Sequence, residues 1–287
     1  MSVIGIAGAG RMGTAFALRL LETGQEVRVW NRTPGRTAKA AQVGARIAAD
    51  LAELAKSDVI LISLTDAAAV NTVADGLVAA GIAGRLVIDM STILPEETSA
   101  VAARITAAGA DFVDCPVGGT VAPALKGQLL GMAGGSDAAF ERAKPVLEHL
   151  CRRVEHLGPA GNGARMKLAI NLPLAVYWQT LAEALTLLKG ADISAEKAVS
   201  LIADSSAGPT VLKNRAQVVV DTLVGTDQPG TFDISGLAKD IDLALRLAAA
   251  GGDRLPLSEA AKASYDRARA QGLGHFDGAS LTRMLLS

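Results

Sequence analysis

The stretch VIGIAGAGRMGTAFALRLLETGQEVRVWNRT, residues 3–33, decides the fold. It begins with a short apolar run, Val3 to Ala7, and continues with Gly8, Gly10 and Gly13 in the spacing Gly-x-Gly-x-x-Gly. Met12 to Leu21 carries helical spacing, and Glu26 to Trp30 is a second apolar run. Three spaced glycines alone say little. Between a strand and a helix, the first permits a tight turn, the second lets an anion approach the main chain, and the third lets helix and strand pack closely. The N–H groups at the helix start then favour a pyrophosphate. Gly8, Gly10 and Gly13, with Arg11 and Met12 at the helix start, are expected to hold a dinucleotide.

The end of the second strand bears on which dinucleotide. An acidic residue there would accept hydrogen bonds from a ribose 2′-hydroxyl and repel a 2′-phosphate. This chain has Asn31, Arg32 and Thr33 instead. An arginine pairs with a phosphate and the two neighbours add hydrogen bonds, so NADP(H) is expected over NAD(H).

Working outward, Val59 to Leu64 and Leu86 to Met90 are further apolar runs of strand length. Alanine-rich helical stretches, around Thr37 to Ala41 and Ala67 to Ala80, lie among them. Strands alternating with helices imply crossovers and a parallel sheet covered on both faces. Phe112 to Val117 and Leu129 to Ala133 read as later strands. After Gly158 the pattern turns helical, with breaks at Gly190-Ala191-Asp192, Ala207-Gly208-Pro209, Asp227 to Gly230 and Gly251 to Asp253. The expected organisation is an α/β Rossmann domain with a parallel-rich sheet over residues 1–160, followed by an all-α domain over residues 161–287 for substrate binding and dimerisation.

Composition excludes several classes. The net charge is −1 with no run of five like charges, which disfavours nucleic-acid and anionic-membrane partners. Aromatics are 3% of residues, too few for base-stacking platforms. Cys115 and Cys151 lack metal spacing, and His149, His156 and His275 form no ligand cluster, so no metal is expected. The first residues show no basic stretch leading into an apolar one, so a cytoplasmic location is expected. Residues 168–188 have the length of a membrane span, which needs about 20 mostly apolar residues. They also carry Asn171, Pro173, Gln179, Thr180, Glu183 and Thr186, and read as a helix buried on most sides of a water-facing protein.

Four later segments complete the pattern: Asp89 to Thr92 (DMST), Asp114 to Leu129 (DCPVGGTVAPALKGQL), Gly161 to Asn171 (GNGARMKLAIN) and Leu237 to Leu245 (LAKDIDLAL). Together with the glycine motif they resemble the short-chain β-hydroxyacid dehydrogenases, which include 3-hydroxyisobutyrate dehydrogenases and glyoxylate/succinic semialdehyde reductases. The resemblance runs in order over nearly the whole chain. It implies that Lys167 is the catalytic acid/base and that Asn171 holds the substrate oxygen. Lysine and asparagine four apart on a helix share a face, and a lysine within an apolar helix loses solvation, which eases release of its proton. The resemblance further places Lys239 near cofactor and substrate, lets Phe232 wall the pocket, and gives Leu64, Thr65 and Thr92 to the cofactor. Ser91, Gly118, Gly119 and Thr120 would meet the substrate, a small aldehyde acid or its β-hydroxy acid. A homodimer or homotetramer is expected.

One departure limits the substrate. The family's Asp-x-Pro-Val-Ser-Gly-Gly signature uses its serine and glycines to bind the substrate carboxylate. Here Gly118 stands at the serine position, Pro123 replaces a later glycine and Gln128 a threonine. Losing a hydrogen bond to a charged group costs roughly 1.5–3 kcal/mol. An imine or neutral-carbonyl reductase of the same fold therefore stays open, as does a non-catalytic NADP-binding sensor.

Overall fold

The computed structural model describes residues 2–285. Its first strands are β1 (Val3–Ala7), β2 (Glu26–Trp30), β3 (Arg46–Ile47), β4 (Val59–Ile62), β5 (Leu86–Asp89) and β6 (Asp111–Asp114). Helices α1 (Arg11–Glu22), α2 (Ala38–Gln42), α3 (Leu51–Leu54), α4 (Ala67–Ala80) and α5 (Pro95–Ala107) connect them, with a 3₁₀ turn at Pro34–Thr37 before α2. The strands lie in the order β3-β2-β1-β4-β5-β6, all parallel. That order reverses between β1 and β4, the point where such sheets bind dinucleotides beyond their carboxyl ends.

The sheet is buried on both faces, as crossover helices require. Val59 and Leu61 of β4 face the same cluster as Phe16 and Leu20 of α1. Their neighbours Ile60 and Ile62 face the opposite cluster, with Val70, Val73 and Leu77 of α4 and Val101 and Ile105 of α5. Alternating residues thus fill two cores.

Beyond β6 the sheet becomes mixed. The apolar run Phe112 to Val117 does not form one strand. It divides into β6 and β7 (Val117–Gly118) around Cys115 and Pro116, and both pieces pair antiparallel with β8 (Leu129–Gly135), β6 with its end and β7 with its start. Proline offers no N–H to a ladder, so the strand ends there. Helices α6 (Val121–Leu125) and α7 (Asp137–Leu150) flank β8, and β9 (Cys151–His156) pairs parallel with β8 as an edge. Arg152, Arg153 and Glu155 are exposed on β9. Their charge hides the strand from a hydrophobic reading and protects the edge from further pairing.

From Leu168 onward the chain forms a second compact unit, distinct from the one that ends at Lys167. Its helices are the larger part of α8 (Asn162–Thr186), then α9 (Ala195–Asp204), α10 (Thr210–Leu223), α11 (Ile234–Ala250), α12 (Pro256–Ala270) and a 3₁₀ segment (Gly278–Leu285). Trp178, Leu181 and Leu185 of α8 pack with Val199, Leu212, Val219, Leu237, Ile241 and Tyr265. The buried Tyr265 hydroxyl donates to the Ala175 carbonyl at 2.9 Å, which satisfies its polar tip.

Helix α8 is not buried on most sides. Leu168, Asn171, Ala175, Trp178, Ala182 and Leu185 make one buried stripe at steps of three and four, while Ala169, Ile170, Pro173 and Glu183 are exposed. That is the stripe of an amphipathic helix. No helix among the described residues is long and apolar enough to cross a membrane.

Candidate active site

The glycine loop is shaped by contact distances. Gly8 has φ +110°, and a Cβ there would lie 2.3 Å from the Ser63 carbonyl oxygen. A Cβ on Gly13 would lie 1.8 Å from the Gly8 carbonyl oxygen. Both positions exclude any side chain. Gly10 differs: nothing lies within 4 Å of where its Cβ would be. It is the residue before α1, no side chain caps that helix, and the first turn holds no acid. Open space beside uncapped N–H groups is what a pyrophosphate needs, so the loop fits a dinucleotide.

At the end of β2, the Asn31 amide ties the loop down. Its Oδ1 accepts from the Ala9 N–H at 2.9 Å and its Nδ2 donates to the Thr33 carbonyl at 2.9 Å. Arg32 and Thr33 line a cleft of about 290 Å³ with Gly8, Gly10, Leu64 and Thr65. Arg36 lines it too, although the sequence reading passed over it. Its signal was available: it stands four residues after Arg32, within the turn opened by Pro34. Among the described residues neither guanidinium has an ion pair or a side-chain hydrogen bond, and both are exposed. Two free forks at this strand end suit a phosphate.

The next two strand ends hold buried carboxylates. Asp89 accepts from the Ser91 N–H at 2.9 Å, and the Ser91 Oγ accepts from the Leu64 N–H at 3.0 Å. Burial pushes Asp89 up to about 6, against the Ser91 hydrogen bonds that pull it down. The Ser91 hydroxyl is thereby engaged in fixing the loop after β4. Thr65, on that loop, donates to Asp66 at 2.9 Å, and Thr92 is half-buried.

One strand over, Asp114 is 2% exposed, and its Oδ1 and Oδ2 accept from the Gly161 and Ala164 N–H groups, each at 2.8 Å. Burial pushes this group up to about 6 as well, and Asp89 adds to the rise. The glycines of the second motif are again demanded by space. Gly161 has φ +97°, and a Cβ on Gly163 would lie 2.2 Å from the Met132 carbonyl oxygen. Lys167 stands one helical turn beyond Ala164, half-buried, at the end of the first unit.

In the second unit, Asn171 is 3% exposed and its Nδ2 donates to Asp240 Oδ2 at 2.6 Å. Lys239 Nζ lies 3.2 Å from Asp240 Oδ1. Asp240, which with Lys239 matches the family's Lys-Asp pair, is the residue that joins Asn171 to Lys239. Phe232 is half-buried beside Gly236, whose Cβ would meet the ring at 3.2 Å.

Back in the first unit, Gly118 has ordinary room: a Cβ there would meet the Leu130 Cβ at 3.5 Å. Gly119 has φ +115°, and its Cβ would lie 2.8 Å from Leu129 Cδ2, so Gly119 is a backbone requirement and Gly118 is not. Thr120 precedes α6 without a side-chain capping bond and is half-buried. Among the described residues no cluster of three His, Cys, Asp or Glu side chains could hold a metal ion.

Comparison with known proteins agrees with this anatomy. Residues 3–158 match the profile of the NAD binding domain of 6-phosphogluconate dehydrogenase. Residues 161–285 match the profile described as NAD-binding of NADP-dependent 3-hydroxyisobutyrate dehydrogenase. The chain is 31% identical to glyoxylate/succinic semialdehyde reductase 1 of Arabidopsis thaliana over 278 residues, 96% of this chain and 95% of that protein. The solved structure of Mycobacterium tuberculosis 3-hydroxyisobutyrate dehydrogenase with L-serine superposes with TM-score 0.90 at 28% identity, covering 100% of both chains. Psf3, solved in complex with NADP+ and 2-OPP, superposes with TM-score 0.84 at 26% identity over 99% of this chain and 100% of that one.

Proposed function

The chain belongs to the β-hydroxyacid dehydrogenase family and is an NAD(P)-dependent oxidoreductase acting on CH–OH groups; from that premise we propose that it prefers NADPH and reduces a small aldehyde acid to its β-hydroxy acid, with Lys167 as general acid/base. One observation carries this reading. The carboxyl ends of β1, β4, β5 and β6 bear Gly8, Leu64, Asp89 and Asp114, and Asp114 seats the start of the helix that bears Lys167 on that same edge. That edge is where doubly wound sheets bind their ligands.

NADPH, when bound, supplies a hydride to the substrate carbonyl carbon. Gly10 and the start of α1 hold the pyrophosphate, and Arg32 and Arg36 hold the 2′-phosphate. Lys167, as an ammonium, donates a proton from Nζ to the carbonyl oxygen, so carbonyl, hydride and proton sum to the alcohol. In reverse, its amine accepts the hydroxyl proton. The Nδ2 of Asn171 is held by Asp240, which leaves Oδ1 and a second N–H for the substrate oxygen. Lys239 supplies a second positive charge. Gly119 and Thr120 bind the substrate carboxylate through their N–H groups.

We assign cofactor binding to residues 1–160 and substrate binding and dimerisation to residues 161–287, in a cytoplasmic homodimer or homotetramer. The exposed Ile170 and Leu187, at 37% and 84%, support self-association, which light scattering would read directly. The test of the activity is the initial rate of NADPH oxidation with glyoxylate, succinic semialdehyde, a neutral aldehyde of similar size and a cyclic imine. The aldehyde acids are expected to win, and Lys167→Ala to abolish turnover. A win for the neutral aldehyde or the imine would favour the second reading, a neutral-carbonyl or imine reductase, for which the absent hydroxyl at Gly118 is the supporting observation. NADPH binding without turnover on any of them would mark a sensor.

A further inference from the structure

Asp114 occupies a slot built by distant parts of the first unit. A Cβ on Gly134 would lie 2.5 Å from its Oδ1, and a Cβ on Gly163 would lie 2.7 Å from its Oδ2. Glycines on both sides therefore let a buried carboxylate sit between β8 and the start of α8. Each oxygen accepts one main-chain N–H, from Gly161 and from Ala164. A carboxylate receiving two N–H groups at the start of a helix holds both the position and the direction of its axis. Gly161, with its positive φ, has its Cβ position 2.9 Å from the Pro95 carbonyl oxygen, so the turn into the helix is held from a third side.

Asp89 does the same for the neighbouring loop. It is the register partner of Asp114 across the β5–β6 ladder. Through Ser91 it fixes the Leu64 N–H after β4. Two adjacent buried carboxylates thus hold two sides of one sheet edge: Asp89 the loop expected at the nicotinamide, Asp114 the helix that carries Lys167.

We infer that Asp114 is a positioning residue for Lys167, setting where the lysine Nζ stands relative to the sheet edge through the Gly161 and Ala164 N–H groups. The inference rests on the reading of Lys167 as acid/base. Proton transfer depends steeply on distance, and a misplacement of about 1 Å from a remote change can lower a rate about a hundredfold. The N–H groups that Asp114 receives belong to Gly161 and Ala164 and not to the Gly8–Gly13 loop, so a change at Asp114 is expected to leave cofactor affinity close to the parent's.

The test compares Asp114→Asn with Lys167→Ala, using NADPH and whichever of glyoxylate and succinic semialdehyde is reduced faster. Asparagine keeps the size of the side chain but turns an NH2 toward one of the two N–H donors. The expected result is a kcat lower by roughly ten- to a hundredfold, with NADPH affinity changed by no more than about twofold. The solvent deuterium isotope effect on kcat should rise, because proton transfer has become the slow event. A kcat within about twofold of the parent overturns the inference, and so does a parallel loss of kcat and NADPH affinity, which marks general disruption. If Asp114→Asn does not fold, Asp114→Ser, smaller and with a single acceptor oxygen in place of two, takes its place. The same outcomes decide it. If Lys167→Ala keeps near-normal turnover, the acid/base reading has failed. If Lys167→Ala is inactive while Asp114→Asn is normal, only the positioning role has failed.

Discussion

Two glycine-bearing turns of the first unit look alike in sequence and differ in what they demand. In the loop after β1, a Cβ on Gly8 or Gly13 would strike a carbonyl oxygen at 2.3 or 1.8 Å. Where β7 ends and turns, a Cβ on Gly118 would make an ordinary 3.5 Å contact. The first turn is glycine because the backbone permits nothing else. At Gly118 the backbone permits a side chain and the chain has none. A residue dictated by sterics reports the fold, and a residue that sterics leaves free reports chemistry.

The hardest blow to this comparison falls at Gly13. The close approach of Gly8 and Gly13 cannot relax through a flexible side chain, because both clashing groups are backbone. Gly13→Ala should destabilise the fold by roughly 3 kcal/mol or more and abolish measurable NADPH binding. Thermal melting and NADPH fluorescence titration would read both. A stable Gly13→Ala protein with normal affinity would mean that the loop tolerates side chains, and the contrast with Gly118 would be lost.

This contrast also explains what the sequence discloses. The glycine loop, β1, β2, β4 and β5 are legible because apolar runs and steric glycines are local signals. Helix α4 begins and ends where its alanine-rich stretch does. Strand β9 is not legible, since its charged residues are held by pairing with β8 rather than by their own pattern. The split at Pro116 depends on where β8 returns, and the one-sided burial of α8 depends on which helices come back to cover it. In the site, Lys167 and Asn171 are named by the family resemblance, to which their four-residue spacing on one helix only adds. Arg36 emerges only when a turn brings it beside Arg32, the bond from Asn171 to Asp240 only when two helices meet, and Asp114 acquires a use only once α8 is seated on it.

A second prediction concerns the carboxylates that fix the sheet edge between the two turns. Asp89 and Asp114 titrate near 3.8 in an unfolded chain and at about 6 when buried here. Their folded values are raised, so the folded protein takes up protons in that window that the unfolded chain does not. Their contribution to stability is fully present below 3.8, falls as the pH rises to about 6, and is level above it. Each carboxylate contributes up to roughly 3 kcal/mol to this slope. Chemical denaturation of the parent and of Asp89→Asn at acid and neutral pH would measure it. The expected result is a shallower dependence in the variant. An unchanged dependence would show that the carboxylate is not carrying a raised value.

The arginine pair gives the third. Arg32 and Arg36 are exposed and carry no partner among the described residues, so removing them should leave the fold intact. Hydrogen bonds to a charged group are worth roughly 1.5–3 kcal/mol, so Arg32→Ala with Arg36→Ala should weaken NADPH by about a hundredfold. NADH should change by no more than about threefold. Equal losses for the two cofactors would mean that the arginines contact a part the two share, and would remove the preference.

The smallest expected effect falls where the comparison is sharpest. Gly118→Ser adds a hydroxymethyl where a Cβ already fits and where φ is not positive, so stability should move by no more than about 0.5 kcal/mol. Any change in rate then belongs to the substrate. If the Gly119 and Thr120 N–H groups hold a carboxylate, an added hydroxyl donor should favour the aldehyde acid over a neutral aldehyde of the same size by about 1 kcal/mol, roughly fivefold in kcat/KM. If that ratio falls, the space at Gly118 is filled by the substrate itself, and the pocket takes a bulkier group than the family's carboxylate. Either result depends on Gly118 being the position that sterics leave free, which is why the same substitution at Gly8 or Gly13 could teach nothing about substrate.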